Sequence, residues 1–165
     1  MGLRAELYQP HVAIRLENRI PPPIIAACAG ALMLAAAWTL PMLNVEIPGT
    51  TLAAILVATA SVTIALAGVI QFARAGTTVN PLQPDAASSL VNGGVYRWTR
   101  NPMYVGMAGV LLAWAIYLSS IAALAVLPLF VLYLNRFQIA PEERALEARF
   151  GAQFERYRNE VRRWL

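Results

Sequence analysis

The sequence contains very few of the residues that build disulfide frameworks and metal centres. Its 165 residues include one cysteine, Cys28, and one histidine, His11. A single cysteine excludes a disulfide within the chain, and a single histidine excludes a metal site built from several histidines. Cys28 lies inside an apolar block, so we interpret it as a small buried hydrophobic residue. No motif predicts a bound metal ion.

Charge is also scarce in this chain and is unevenly distributed. Charged residues make up 13% of the sequence, whereas a soluble domain has about 25%. All 13 basic residues are arginine, and the net charge is +4. The arginines flank apolar blocks, as the positive-inside rule describes for membrane proteins, so we expect no nucleic-acid partner. Early charges without a small-residue cleavage site predict no cleavable signal peptide.

The apolar residues form blocks that are long enough to cross a bilayer. The sequence predicts one all-α, polytopic membrane domain over residues 1–165, with four transmembrane helices at about 24–45, 51–72, 102–118 and 121–138. Met103 to Leu134 would extend about 48 Å as one helix, but the bilayer core is about 30 Å thick. We therefore predict a helical hairpin that turns near Ser119 and Ser120, with a second arm that continues past Arg136.

The charge pattern predicts the orientation of these helices. Four spans place both termini on one side, and the arginines all lie in segments expected on that side. This favours cytoplasmic termini. Residues 1–19 are either a short interfacial helix or a tail. In the loop 77–100, Pro81 and Pro84 argue against a long helix.

The last segment, residues 141–165, has the pattern of an amphipathic helix. Pro141 suits a first helical position, and Glu142 and Glu143 follow in the first turn, where the helix dipole favours acidic residues. Apolar residues recur at steps of three and four: Leu146, Phe150, Phe154, Tyr157, Val161 and Trp164. Such a helix lies on the membrane or packs beneath the bundle.

The stretch from Gly93 to Gly106, GGVYRWTRNPMYVG, has more arginine, aromatic and glycine residues than a connecting loop needs. Pro102 restricts Asn101 to extended conformations and can open the third span. The backbone N–H groups of that helix start favour an anionic group. The aromatic side chains offer faces for a flat ring. The alternative is an interfacial belt of arginine and aromatic residues without a ligand.

The two acidic residues that follow the predicted hairpin have two interpretations of their own. Glu142 and Glu143 either complement a helix dipole or hold an ammonium group or ribose hydroxyls. An arginine of the loop, Arg97 or Arg100, is suited to place an acceptor carboxylate. An amine or thiol acceptor would need a base, for which Glu142 or Glu143 is the nearby choice.

Two motifs in order resemble the isoprenylcysteine carboxyl methyltransferase family, which has bacterial members and is related to the phospholipid methyltransferases. LVNGGVYRWTRNPMYVG is similar to the family's Gly-x-Tyr-Arg turn and its Arg-His-Pro-x-Tyr or Arg-Asn-Pro-x-Tyr pattern. PEERALEARFGAQFERYRNEVRRWL, some forty residues later, is similar to its Glu-Glu-x-x-Leu and Phe-Gly pattern. The resemblance covers about residues 72–165. Position 101 is asparagine rather than histidine; both occur in the family, so this weakens a proton-transfer role at Asn101 more than it weakens cofactor binding.

The resemblance implies a membrane methyltransferase that uses S-adenosylmethionine and releases S-adenosylhomocysteine. The cofactor region would be residues 92–106 and 141–160, facing the cytoplasm, and the acceptor would be a lipophilic small molecule or a lipid that enters from the membrane. The implied cofactor-binding residues are Gly94, Tyr96, Arg100, Asn101, Pro102, Tyr104, Glu142 and Glu143. The candidate catalytic residues are Arg97, Arg100 and Glu143.

The sequence leaves the chemical identity of the methyl acceptor and two alternative functions open. The methyl acceptor is the carboxylate of an isoprenylcysteine-like molecule, or a lipid amine or thiol. The chain lacks the additional N-terminal helices of larger members, which puts a prenylated cysteine in doubt. The alternatives are a nicotinamide-dependent membrane reductase similar to the sterol reductases and a non-catalytic membrane subunit. The short chain and its few basic residues argue against the reductase, and the two retained motifs argue against the subunit.

Overall fold

The computed structural model describes Glu17, residues 19–76 and residues 89–165, and these residues form a helical bundle. The helices are α1 Pro22–Thr39, α2 Thr50–Arg74, α3 Pro102–Leu118, α4 Ile121–Leu124, α5 Val126–Leu134, α6 Ala140–Phe150 and α7 Ala152–Glu160. No strand occurs in these described residues, so the predicted all-helical fold is confirmed. The possible N-terminal helix, Pro81 and Pro84 lie outside the described residues.

Three helical stretches are long and apolar enough to cross a membrane. They are α1, α2 and the continuous stretch Ile121–Phe150. Helix α3 is apolar but has 17 residues, slightly fewer than the about 20 that a span needs. The chain is therefore an integral membrane protein, and the count of four spans and their limits stay predictions.

The stretch Ile121–Phe150 is too long to lie entirely in hydrocarbon. Its 30 residues extend about 45 Å, against a bilayer core of about 30 Å. The charges are concentrated in α6, which carries Glu142, Glu143, Arg144, Glu147 and Arg149. Because charged side chains are costly in hydrocarbon, α6 lies outside the membrane-spanning part of this stretch.

The turn between α3 and α4 lies where the sequence predicts it. Ser119 adopts a left-handed conformation with φ of 50°, and the Ser120 hydroxyl accepts a hydrogen bond from the backbone N–H of Ala123 at 3.4 Å. The Val45 backbone N–H donates to the Ser119 carbonyl at 2.7 Å, which joins this turn to the loop after α1. That loop contains the short 3₁₀ turn Pro41–Leu43, so Pro41 follows the end of α1 and does not kink it.

The helical path continues past Arg136, as predicted, but it does so through a π-helical turn at Asn135–Ile139. The Ala140 N–H donates to the Asn135 carbonyl, and Ile139 already has helical dihedrals. The prediction of a helix start at Pro141 is therefore wrong, because the preceding turn is helical. The predicted single amphipathic helix is also wrong, because Gly151, with φ of 50°, separates α6 from α7.

Helices α2 and α3 pack along a seam of small residues. Ala54, Ser61 and Gly68 of α2 are buried at intervals of seven residues, so they share one face. A Cβ atom at Gly106 would lie 2.6 Å from the Ala65 Cβ and 2.7 Å from the Ser61 carbonyl oxygen. Small residues of this kind let helix backbones approach closely in membranes. Gly106 therefore serves helix packing.

A second hydrophobic cluster lies at the arginine-rich end of the bundle. Its buried residues are Val91, Tyr96, Phe154 and Tyr157. Phe72 at the end of α2 packs against them, with its ring 5.4 Å from that of Tyr96 at an interplanar angle of 73°. The apolar stripe of the last segment therefore packs beneath the bundle and covers the loop that precedes α3.

The α2–α3 seam predicts that alanine is tolerated much less at Gly106 than at Gly30. Alanine favours a helix over glycine by about 1 kcal/mol at both sites. At Gly30 an added Cβ meets only the Leu111 Cδ2 atom, at 3.8 Å. We expect Gly106→Ala to lower the free energy of unfolding by about 1–3 kcal/mol through overpacking, and Gly30→Ala to leave it unchanged or higher. Thermal unfolding in detergent measures this difference, and equal stabilities contradict the seam.

Candidate active site

The loop before α3 forms a tight turn that faces the last two helices. Residues Gly94–Arg97 form a 3₁₀ turn, in which Gly94 has φ of 59°. A Cβ atom at Gly94 would lie 2.2 Å from the Gln71 Nε2 atom, so this glycine lets the turn pack against the end of α2. Pro102 is buried and begins α3, with Asn101 before it at φ of −131°. The sequence motif therefore forms one rigid turn between α2 and α3.

An ion-pair network joins this turn to α6. The Arg100 Nη2 atom lies 2.8 Å from one carboxylate oxygen of Glu143, and Arg163 Nη2 lies 2.5 Å from the other. Only 10% of the Arg100 side chain and 13% of the Glu143 side chain are exposed. Pairing of both oxygens compensates for much of the cost of burying a carboxylate. The two motifs, some forty residues apart, therefore meet through Arg100 and Glu143.

Arg100 also makes hydrogen bonds to chain segments that follow α6. Its Nη1 atom donates to the Arg158 carbonyl at 2.9 Å and also to the carbonyl of Val161. Its backbone N–H donates to the Arg162 carbonyl at 2.9 Å. The Nε atom of Arg100 is buried and has no hydrogen-bond partner in the described part of the chain. Arg100 is thus largely committed to holding the turn.

Glu143 and Glu142 occupy different electrostatic environments although they are adjacent. Burial acts to raise the pKa of Glu143, but hydrogen bonds from Arg163 and Arg100 outweigh it and lower the pKa of this carboxyl. Burial raises the pKa of Glu142 to about 7, against the opposing hydrogen bond from the Tyr104 hydroxyl and with a further increase from the Glu143 charge. Glu143 is therefore a committed anion, whereas Glu142 is poised near neutral pH.

Tyr104, Glu142 and Tyr96 form a polar cluster beside this network. The Tyr104 hydroxyl donates a hydrogen bond to Glu142. Tyr96 is 4% exposed, and its hydroxyl has no hydrogen-bond partner in the described residues. Burial, together with Tyr157 and the Glu142 charge, raises the pKa of Tyr96, so its hydroxyl stays protonated and can donate. Within the described segments no arginine pairs with Glu142, so the cluster holds a carboxylate without a cation.

The remaining candidate, Arg97, is exposed beside the cluster. Among the described residues it makes no hydrogen bond or ion pair, and Trp98 next to it is 79% exposed. The structure brings Arg100, Asn101, Tyr104 and the two glutamates together but leaves Arg97 on the surface. Gly94 and Pro102 pack against α2, where Gly94 meets Gln71 and Pro102 meets Gly68.

Contacts from the end of the chain were not predicted from the sequence. The Arg163 carbonyl accepts hydrogen bonds from the Asn101 side chain at 2.9 Å and from the Thr99 hydroxyl at 3.2 Å. The Tyr157 hydroxyl donates to the Tyr96 carbonyl at 2.8 Å. The sequence contained no motif for these bonds, because backbone carbonyls accept them. The apolar stripe was the one available signal that this segment packs against the loop.

The burial of Glu142 without a cationic partner in the described residues predicts how the stability of the protein changes with pH. The pKa of Glu142 rises on folding from 4.5 to about 7, so folding takes up a proton between these values and stability falls as the pH rises through this window. Each unit of difference contributes about 1.4 kcal/mol. We expect Glu142→Gln to gain stability relative to wild type from pH 5 to pH 7 and then to keep a constant advantage.

Thermal unfolding in detergent at pH 5, 6, 7 and 8 measures this effect. Glu155→Gln, at an exposed position in α7, is the matched control and should follow wild type at every pH. Parallel stability curves for Glu142→Gln and wild type would contradict the assigned environment of Glu142.

Comparison with known proteins identifies the family of this chain. The family model for phospholipid methyltransferases matches residues 49–153, which include the loop motif and the Glu142–Glu143 pair. A protein of Haemophilus influenzae that is described as uncharacterized is 48% identical over 64 residues, which are 38% of this chain and 100% of that protein. No solved structure matches. The chain therefore belongs to the phospholipid methyltransferase family, within the isoprenylcysteine carboxyl methyltransferase-like membrane methyltransferases.

Proposed function

We propose that this protein uses S-adenosylmethionine to methylate a lipophilic acceptor at the cytoplasmic face of a bacterial inner membrane. Membership of the family implies methyltransferase activity in general, and the family generally uses this cofactor. When bound, S-adenosylmethionine supplies a methyl group on a positively charged sulfur. The observation that carries the proposal is the Tyr96–Tyr104–Glu142 cluster, which holds an acidic side chain without a cationic partner in the described residues.

The chemistry of this cluster fits a cationic ligand that also carries polar groups. A buried carboxylate is stabilised when a cation pairs with it, and Glu142 accepts only the Tyr104 hydrogen bond from the described chain. The unpartnered Tyr96 hydroxyl can donate to an acceptor atom of the same ligand. We assign Glu142 to the cofactor's positive charge and Tyr96 to one of its polar atoms. Residues 92–106 and 141–160 form the proposed cofactor region.

Asn101, Arg100 and Glu143 shape one side of this region. Asn101 and Arg100 are fixed by bonds to the last residues of the chain. Glu143 is neutralised by Arg100 and Arg163, so it does not add a second free negative charge. These residues orient the groups around the cofactor, and orientation of reactants can supply about 7–11 kcal/mol of a reaction barrier.

Two residues are suited to the methyl acceptor. Arg97 is exposed and uncommitted among the described residues, so we assign it to a carboxylate or phosphate of the acceptor, in preference to Arg100. An amine or thiol acceptor must lose a proton, and a base whose pKa is about 7 suits that task. For such an acceptor Glu142 is the proposed base in preference to Glu143, because the arginines hold Glu143 in its ionised, weakly basic form. In this alternative Glu142 contacts the acceptor and not the cofactor's positive charge.

The cofactor assignment predicts that Tyr96→Phe weakens binding of S-adenosylhomocysteine. A hydrogen bond contributes about 0.5–1.5 kcal/mol, and more when the acceptor is charged, so we expect Kd to increase by about twofold to tenfold or more. Tyr117→Phe is the matched control, since Tyr117 is 54% exposed at the far end of α3. Calorimetry on detergent-solubilised protein measures both. Equal affinities contradict the role of Tyr96, and binding of a reduced nicotinamide in place of S-adenosylhomocysteine favours the reductase.

The proposed orientation predicts that the loop before α3 and the C-terminus lie on the same, cytoplasmic side. The test uses a Cys28→Ser background, so that each introduced cysteine is the only thiol in the chain. The expectation that Cys28 is buried is wrong, because its side chain is on the exposed side of α1. Asn92→Cys and Leu165→Cys, both at exposed positions, should resist a membrane-impermeant thiol reagent in intact cells and react after permeabilisation. Met42→Cys, in the loop after α1, should react without permeabilisation. Labelling of positions 92 and 165 from opposite sides would overturn this topology.

A further inference from the structure

The last residues of the chain cross directly over the turn that carries Asn101. After α7 ends at Glu160, Val161 becomes extended and the tail, residues 161–165, runs past residues 99–101. The Arg100 backbone N–H donates to the Arg162 carbonyl at 2.9 Å. The match to the family model ends at residue 153. The tail therefore contributes contacts to the site from beyond the matched segment.

Arg163 contacts the site through both its backbone and its side chain. Its carbonyl accepts hydrogen bonds from Asn101 and Thr99. Its guanidinium donates to both oxygens of Glu143, at 3.1 Å from Nε and 2.5 Å from Nη2. One residue thus links Asn101 of the turn to Glu143 of α6, and 39% of its side chain is exposed.

The tail is anchored on both sides of Arg163. Before it, the Arg100 guanidinium donates to the Val161 carbonyl. After it, Trp164 packs against the main hydrophobic core, and its Nε1 atom donates to the Asn135 side chain at 3.0 Å. Asn135 is the first residue of the π-helical turn from which α6 continues. Anchoring at both ends leaves Arg163 little freedom, which suits a residue that fixes the position of others.

We propose that Arg163 is a positioning residue, which holds Asn101 and Glu143 in the arrangement that binds the cofactor. This rests on the proposed function, and it goes beyond the family pattern because Arg163 is not one of the residues that match the Glu-Glu-x-x-Leu and Phe-Gly pattern. An arginine suits the role because its planar guanidinium binds both oxygens of a carboxylate in a fixed plane, whereas a lysine ammonium is a point charge. Loss of the side chain leaves Glu143 with Arg100 alone and frees the tail from α6.

The experiment compares Arg163→Ala, Arg163→Lys and Arg162→Ala. Arg162 is the matched control, because its side chain makes no hydrogen bond or ion pair in the described residues and its carbonyl is retained in alanine. Two measurements are made on full-length protein in detergent. Calorimetry gives the Kd of S-adenosylhomocysteine, and hydrogen–deuterium exchange without cofactor follows the peptide that contains the Arg100 amide.

We expect Arg163→Ala to bind S-adenosylhomocysteine at least about tenfold more weakly, since a small misplacement of positioning groups can cost up to about 100-fold. Exchange at the Arg100 amide should become faster in the same variant. Arg163→Lys should recover part of both properties, and Arg162→Ala should match wild type. A general loss of stability would also make exchange faster in α2, far from the tail, where exchange in the alanine variant should instead match wild type. The lysine variant keeps the test available if the alanine variant fails to fold.

Two results would overturn the proposal. One is an Arg163→Ala protein whose affinity equals that of Arg162→Ala, and the other is unchanged exchange at the Arg100 amide. Absence of S-adenosylhomocysteine binding by wild type is a separate outcome, because it contradicts the proposed function itself. The exchange comparison then still decides whether Arg163 holds the turn, since it is made without cofactor.

Discussion

The Glu143 carboxylate is the point at which three distant segments of the chain meet. Arg100 comes from the turn before α3, Glu143 from α6 and Arg163 from the tail, and their side chains are joined at 2.8 and 2.5 Å. Ion pairs that are partly withdrawn from water contribute mainly when every charge is paired, because an unpaired buried charge is costly. This requirement makes the three segments interdependent, so the neighbouring Asn101 and Glu142 are positioned by the same network.

Adjacent acidic residues take different roles because successive residues of a helix point in directions about 100° apart. Glu143 faces the two arginines, whereas Glu142 faces the Tyr104 hydroxyl and the buried Tyr96. The arginines lower the pKa of Glu143, and burial raises that of Glu142. A sequence motif with two acids thus gives one structural anion and one carboxylate available to a ligand. Because the two glutamates point in different directions, Glu143 is paired with Arg100 and Arg163, whereas Glu142 has no cationic partner in the described residues.

The sequence predicted those features that depend on local patterns. Apolar blocks predicted the helices, and the length of the uncharged run predicted the turn at Ser119. Motif spacing identified the loop and the acidic pair. Two predictions for the last segment were wrong. The helix start at Pro141 was wrong because a proline and two acids resemble a first turn whether or not the preceding residues are helical. The single amphipathic helix was wrong because Gly151, with φ of 50°, separates α6 from α7. The hydrogen bonds that the Arg163 carbonyl accepts from Asn101 and Thr99 could not be predicted, since the partners of backbone carbonyls depend on tertiary packing.

The π-helical turn at Asn135 explains how a membrane helix and a polar site share one continuous helical path. A π turn inserts a residue and shifts the side chains beyond it to a different face. Before the turn, Phe130 and Leu134 point into the bundle core, and after it Glu142 and Glu143 face Tyr104 and Arg100. The Trp164 hydrogen bond to Asn135 connects the tail to this turn. The tail therefore contacts both the candidate site, through Arg163, and the turn from which α6 leaves the bundle, through Trp164.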